Sequence, residues 1–201
     1  MSNLQEHWDR VYRTKRSDAV SWFQPHLETS LALIRQTGIA EDAPILDVGG
    51  GASTLVDDLI AAGYSDVTVL DLSEAALEAA RNRLGPRASR VSWLAGDATR
   101  AVLPPSHFQV WHDRAVFHFL IDPDDRRRYV QQVLRALAPG GHVIVATFGP
   151  DGPERCSGLP TARYDADALH AEFGAQFGLL ERREERHRTP AGVEQQFIYC
   201  L

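Results

Sequence analysis

Three aspartates and a run of glycines are spaced along the first half of this 201-residue chain as a ligand site would space them. Ile45-Leu46-Asp47-Val48 reads as a buried strand ending beside an acid, and Gly49-Gly50-Gly51 as a turn that opens a helix at Ser53 or Thr54. Gly49 and Gly51 let the backbone bend tightly and admit a ligand against bare main chain. Strand-turn-helix units of this kind, at the carboxyl edge of a parallel sheet, bind nucleotides. A dinucleotide fingerprint needs a third glycine where Thr54 stands, and a carboxylate two residues before the first glycine would repel a pyrophosphate. Asp47 instead suits an amino group or a cation, so the pattern favours a cofactor with a positive amino-acid end; the bland alternative is a plain strand-to-helix turn. Asp71 closes the next apolar run, Val67-Thr68-Val69-Leu70, twenty residues past Gly51. An acid there accepts from ribose hydroxyls. Asp97, after a third strand (Val91–Ala95) and Gly96, can accept from an exocyclic amino group.

A second group follows the fourth apolar run, Phe108–Trp111: His112, Asp113 and His118. By position these are the candidates for a base that would deprotonate an acceptor, and Asp113 is also expected among the residues that contact the cofactor. Each also has a structural reading, Asp113 as a cap or the partner of Arg114, and the histidines as satisfied core residues. His112, His118, Cys156 and His187 are metal-ligand types, but no tight spacing joins them and no metal is expected.

The elements that must position these groups alternate regularly. Trp8, Val11 and Tyr12 fall at helical spacing, Trp22-Phe23 follows, and Leu27 to Ile34 continues as a helix that stops at Gly38. These early aromatics either pad the outside of the sheet or form a lid over the cofactor. Ser73 caps a helix that ends at Gly85-Pro86, and Pro123 starts another. Pro139-Gly140-Gly141 turns into a fifth strand, His142–Phe148. A Gly- and Pro-rich loop over 149–163 is long enough to be functional or mobile. A helix near 165–173 and a hairpin turning at Thr189–Gly192 finish the chain. The fold class is therefore α/β, a Rossmann-like seven-stranded sheet of order 3-2-1-4-5-7-6 with the seventh strand antiparallel and helices on both faces. One domain is expected, with residues 1–43 a helical lid and 44–201 the core.

Composition excludes several classes. The formal charge of −6 argues against a nucleic-acid partner. Two distant cysteines suggest no disulfide framework and a reducing, cytoplasmic setting. No run is long enough to span a membrane, and the polar start does not read as a signal peptide. A monomer or weak homodimer is expected.

With Asp47/Gly49/Gly51, Asp71, Gly96-Asp97 and Pro139-Gly140-Gly141 in order, the chain resembles class I S-adenosylmethionine-dependent methyltransferases over nearly its whole length. Within them it is most similar to the small methyltransferase-like branch that includes elongation-factor and citrate-synthase lysine methyltransferases, through Trp8, Tyr12, Trp22-Phe23, Gly63-Tyr64-Ser65-Asp66 and Asp71-Leu72-Ser73. The resemblance implies S-adenosylmethionine as cofactor and S-adenosylhomocysteine as product. It puts Trp8, Tyr12 and Trp22 on the cofactor, Gly49 along the methionine part, Asp71-Leu72 at the ribose and Asp97-Ala98 at the adenine. The acceptor would be a small molecule or a protein side chain. The eukaryotic lysine enzymes tend to carry Asp-Lys-Gly-Thr where this chain has Asp113-Arg114-Ala115-Val116, a departure in the segment that helps form the acceptor pocket. The competing readings are a binding module that holds the cofactor without catalysis and a nucleotide-binding oxidoreductase.

Overall fold

A computed structural model describes residues 3–201. The β-branched runs form a parallel core: β1 (Ile45–Val48), β2 (Val67–Asp71), β3 (Val91–Ala95), β4 (Phe108–Arg114) and β5 (Leu137–Phe148). A short hairpin, β6 (Arg155–Cys156) and β7 (Leu159–Pro160), precedes the closing hairpin of β8 (Arg182–Arg188) and β9 (Glu194–Cys200). The large sheet has the order β3-β2-β1-β4-β5-β9-β8, with β9 antiparallel to both neighbours. Setting the small hairpin aside, this is the expected seven-stranded order. β1 sits mid-sheet and is buried at every position, as a parallel strand covered on both faces must be.

The helices are α1 (Asn3–Thr14), α2 (Glu28–Gln36), α3 (Leu55–Ala61), α4 (Glu74–Leu84), α5 (Pro123–Ala136) and α6 (Ala166–Phe173). Leu33, Ile34, Leu55, Leu59 and Leu77, from α2 to α4, pack with Ile45 and Val110. Tyr129 and Val133 of α5 and Leu169 of α6 pack with Leu46, Val48 and Trp111 on the other face. Alternate residues of one strand thus feed opposite layers. In β4, Val110, His112 and Arg114 share one face, while Trp111 and Asp113 share the other.

Local differences from the sequence reading have physical causes. β4 runs three residues past Trp111 because His112, Asp113 and Arg114 pair with Ile144, Val145 and Ala146. Pro139-Gly140-Gly141 lies within β5 as a bulge: Leu137 stands opposite Phe108, yet Val110 is met by His142. The 149–163 segment is partly ordered by the β6/β7 hairpin, with Thr161 N–H donating to Glu154 O at 2.9 Å. At the start of α3, Ser53 Oγ accepts from Leu55 N–H (3.2 Å), whereas the Thr54 hydroxyl donates to Gln24 O (2.8 Å) and so ties the N-terminal segment to the glycine turn.

The same segment is anchored a second time. The Ser73 hydroxyl accepts from Ala76 N–H (3.2 Å) as the cap of α4 and donates to the buried Asp9 carboxylate of α1 at 2.6 Å. Asp9 is only 8% exposed, so losing this donor strands part of a buried carboxylate. Ser73→Ala should cost about 2 kcal/mol of unfolding free energy, a cap plus a buried bond, and loosen α1. Chemical denaturation with limited proteolysis of the first 25 residues checks this; unchanged stability and unchanged cleavage would remove α1's anchor from the account.

Candidate functional site

All parallel strands point their carboxyl ends at one edge, and two adjoining cavities open there. The first is walled by Trp8, Tyr12, Trp22, Gly49, Asp71, Leu72, Asp97, Ala98, Val116, Phe119 and Cys156, among others. The second lies over the glycine turn, between Trp22, Phe23, Gln24, Asp47, Gly50, Ser53, Thr54 and His112. Trp22, Val48, Gly49 and Arg114 belong to both, so the cavities share one wall. A larger apolar cavity sits at the opposite, amino edge, between the start of β5 and α6. It gathers no acids, and open α/β folds bind ligands at the carboxyl edge.

The glycine turn is bare for a specific reason. A Cβ at Gly49 would stand 2.0 Å from Val116 Cγ2, one at Gly50 would stand 2.2 Å from Asp47 Oδ2, and one at Gly51 would stand 2.5 Å from Asp71 Oδ2. Each glycine therefore lets the turn lie against a group the site uses. Gly49 also has φ +69°, which L side chains avoid.

Asp71 accepts from Gly51 N–H (3.0 Å) and Ser73 N–H (2.8 Å), and burial pushes its carboxyl up to about 6 despite those bonds. Asp71 lines the first cavity, and two of its four lone-pair positions are unused, enough for two hydroxyls. Asp97 lines the same cavity, but its Oδ1 caps its own turn through Thr99 N–H and Oγ1, and Oδ2 faces Arg100. Asp47 is different. Its Oδ1 bonds the His112 ring at 2.8 Å, while its buried Oδ2 has no partner. A buried carboxylate oxygen without a donor is costly, and an ammonium group placed in the second cavity would satisfy it.

Aromatic residues of α1 and of the segment after it, Trp8, Tyr12 and Trp22, line the first cavity. The Trp8 ring meets Trp22 at 5.7 Å, Tyr12 at 6.3 Å and Phe119 at 5.2 Å between centroids. The Trp22 and Phe119 contacts are edge-to-face and the Tyr12 contact is tilted, and rings so arranged suit a flat base or a cation.

The three candidate bases separate. Asp113 has no exposed surface and does not line either cavity. It accepts from Val116 N–H (2.8 Å), Phe117 N–H (3.0 Å) and the Tyr129 hydroxyl (2.5 Å). Burial raises its carboxyl to about 6, yet the bonds it accepts hold the turn after β4 together. The structure thus corrects the expectation that Asp113 contacts cofactor or takes a proton: its side chain points to the α5 layer, opposite His112. His118 is corrected likewise. It is fully buried, its Nδ1 accepts from Phe148 N–H at 3.3 Å, and it packs on Phe148 with centroids 4.5 Å apart. His112 lines the second cavity, but both ring nitrogens are bonded, to Asp47 and to Ser30 Oγ (2.9 Å). Gly51 supports Asp71 without facing either cavity.

Arg114, read from sequence as a partner for Asp113, is the main residue missed. Its Nε donates to Tyr199 Oη (2.9 Å), one Nη to Trp22 O (3.0 Å) and the other to Glu185 (3.3 Å), with Phe197 beneath it at 4.5 Å. Period-two alternation along β4 already places Arg114 on the face of His112 and at the carboxyl end, which was the available signal. Among the described residues no cluster of three or more His, Cys, Asp or Glu could hold a metal ion, and no helix is long and apolar enough to cross a membrane.

The model of a family described as "Methyltransferase domain" matches residues 45–141. The chain is 30% identical over 139 residues to the eEF1A lysine and N-terminal methyltransferase of Bos taurus, covering 69% of this chain but 20% of that one, so it spans about a fifth of that relative's length. It is 24% identical to the human EEF1A lysine methyltransferase 2, over 88% of this chain and 75% of that one. Among solved structures, the Burkholderia thailandensis 1,6-didemethyltoxoflavin-N1-methyltransferase, with bound 1,6-didemethyltoxoflavin and S-adenosylhomocysteine, superposes with a TM-score of 0.73 at 22% identity, covering 98% of this chain and 86% of that one.

Two outcomes test this geometry. Gly50→Ala drives a methyl group into Asp47 Oδ2 and should cost about 1–3 kcal/mol of stability; a variant as stable as the parent would show that the turn is not packed on that carboxylate. Burial holds the His118 ring well below its ordinary value, at about 3. Since the unfolded chain titrates near 6.5, the neutral ring contributes stability that is present above pH 6.5 and lost as pH falls toward 3. Between pH 7 and pH 5 the loss should be about 2 kcal/mol. His118→Phe should lack that portion of the acid sensitivity; parallel stability–pH curves for parent and variant would refute it.

Proposed function

We propose that this chain, whose residues 45–141 match a methyltransferase-domain model and whose sheet has the order of the class I S-adenosylmethionine-dependent methyltransferases, transfers a methyl group from S-adenosylmethionine to a small neutral or anionic acceptor. The observation that carries the cofactor is the unpartnered, buried Oδ2 of Asp47, a residue that lines the cavity adjoining the one Asp71 lines. Asp47 would take the α-ammonium of the amino-acid end. Asp71 would take the ribose hydroxyls, and Trp8, Tyr12, Leu72 and Ala98 would enclose the base. Asp97 would act through its turn. The shared wall of Trp22, Val48, Gly49 and Arg114 then stands beside the sulfur. When bound, the cofactor supplies a methyl group already activated on a sulfonium, so the protein's work is alignment and exclusion of water.

The acceptor class rests on what surrounds that wall. Arg114 is its one charged side chain, and with three bonds made it keeps two N–H groups for a ligand. None of the three candidates offers a base there: Asp113 and His118 line neither cavity, and both ring nitrogens of His112 are bonded. Glu185 balances the Arg114 charge, but the free N–H groups can donate to a thiolate, phenolate or carboxylate and cannot bond an ammonium, which favours an acceptor that arrives neutral or as an anion. The likeness to lysine methyltransferases supports a second reading, a protein lysine, which the same assay separates.

Calorimetry should give micromolar binding of S-adenosylmethionine and S-adenosylhomocysteine and none of NAD. Asp71→Ala should weaken the first two by about 1–3 kcal/mol. NAD binding alone, or no binding, would end the methyltransferase reading; tight binding with no transfer to any acceptor would favour a module that only holds the cofactor. Labelled methyl transfer should reach small thiols, phenols or acids and fall at least about tenfold in Arg114→Gln, near 1.4 kcal/mol. Transfer to lysine peptides alone would decide for the second reading.

A further inference from the structure

Behind Asp47 stand two buried polar side chains, His112 and Ser30, to which the proposed chemistry gives no role. Asp47 and His112 are register partners on adjacent strands, with side chains on the same face. They are 2% and 1% exposed. His112 Nδ1 lies 2.8 Å from Asp47 Oδ1, and Nε2 lies 2.9 Å from Oγ of Ser30, itself fully buried on α2. Against an ionised Asp47 the proton sits on Nδ1, which donates, and Nε2 accepts from the serine hydroxyl.

We propose that His112 and Ser30 are positioning residues for the amino-acid end of the cofactor. Ser30 fixes the imidazole, the imidazole holds Oδ1 of Asp47, and the carboxylate is thereby locked with Oδ2 facing the second cavity as an ammonium acceptor. The inference rests on the cofactor reading above.

Three features support it beyond the two bonds. A carboxylate that could turn about its Cβ–Cγ bond would bring either oxygen to the cavity at random, and the His112 bond removes that freedom. The turn is closed over the carboxylate at Gly50, so Asp47 has no room to retract. Ser30 and His112 leave Oδ2 without a donor, although a fold arranged only for its own stability would pair a buried carboxylate oxygen. At metal centres, removing the outer hydrogen-bond partner of a ligating side chain lowers affinity, and the same orienting logic applies to a carboxylate held by His112.

The test compares two ligands that share the adenosine thioether and differ in the amino-acid end. S-adenosylhomocysteine has it and 5′-methylthioadenosine lacks it. In calorimetry on the full chain, His112→Phe, which keeps a ring but no donor, should weaken S-adenosylhomocysteine about tenfold and leave 5′-methylthioadenosine within about twofold. His112→Asn, which keeps a donor near Nδ1, should retain most of the preference for S-adenosylhomocysteine. Ser30→Ala should shift the preference in the same direction by a smaller, severalfold amount, and it decides the matter if His112→Phe does not fold. An unchanged ratio of the two affinities, equal loss of both ligands, or an Asn variant as impaired as the Phe variant would each overturn the proposal. A wild-type chain that binds neither ligand would overturn the cofactor reading itself, and that failure is recognised before any substitution is made.

Discussion

The structure depends on satisfying a few charges buried on one face of the sheet. Asp47 bonds His112, His112 bonds Ser30, and Ser30 also meets the Tyr199 hydroxyl. That hydroxyl accepts from Arg114, and Arg114 pairs with Glu185. Burial alone would raise the Glu185 carboxyl, but Arg114 and the hydrogen bonds from Thr29 and Gln24 hold it below its ordinary value. Each of these groups is too costly to bury alone. The line draws on β1, β4, α2 and the closing hairpin, so segments at both ends of the chain must be in place before the centre is electrically complete. Gln24 extends it to His187, whose other nitrogen meets Ser21 O.

This explains why the cavities are walled by segments outside the strand-helix core. Trp22, bonded through its carbonyl to Arg114, is held where it can divide the two cavities. The Thr54 and Ser73 hydroxyls clamp the same N-terminal segment to the starts of α3 and α4. The N-terminal segment is thus fastened to the turns beside the cavities. Cys156 reaches the first cavity only because the short β6/β7 hairpin folds the 149–163 segment back over it.

The strand order and the residues along the cavity floor were legible because they follow from period-two apolar runs, glycines and acids at strand ends. Asp47, Gly49, Asp71 and Asp97 all reach the cavities, as do Leu72 and Ala98, which only the family resemblance singled out. The acceptor side was misread at Asp113 and His118, since nearness in sequence was taken for nearness in space. On a strand, neighbouring side chains point apart, and Asp113 faces Tyr129 while His112 faces Asp47. Gly50, passed over beside Gly49 and Gly51, is as tightly required as either, through contact with a carboxylate that no spacing rule reveals.

The amino-acid sequence by itself determined the alternation of strands and helices, the glycine turn, and the acids at the carboxyl edge, because these are set by local periodicity and by positions within one strand-turn-helix unit. Only the tertiary structure decided which early aromatics cover the cavity, which oxygen of Asp47 is left without a donor, and that Arg114 stands at the shared wall with Glu185 behind it. Those facts depend on pairings between residues far apart in the chain, such as Asp47 with His112 and Arg114 with Glu185. Such pairings exist only once burial has made an unpaired charge too costly to tolerate.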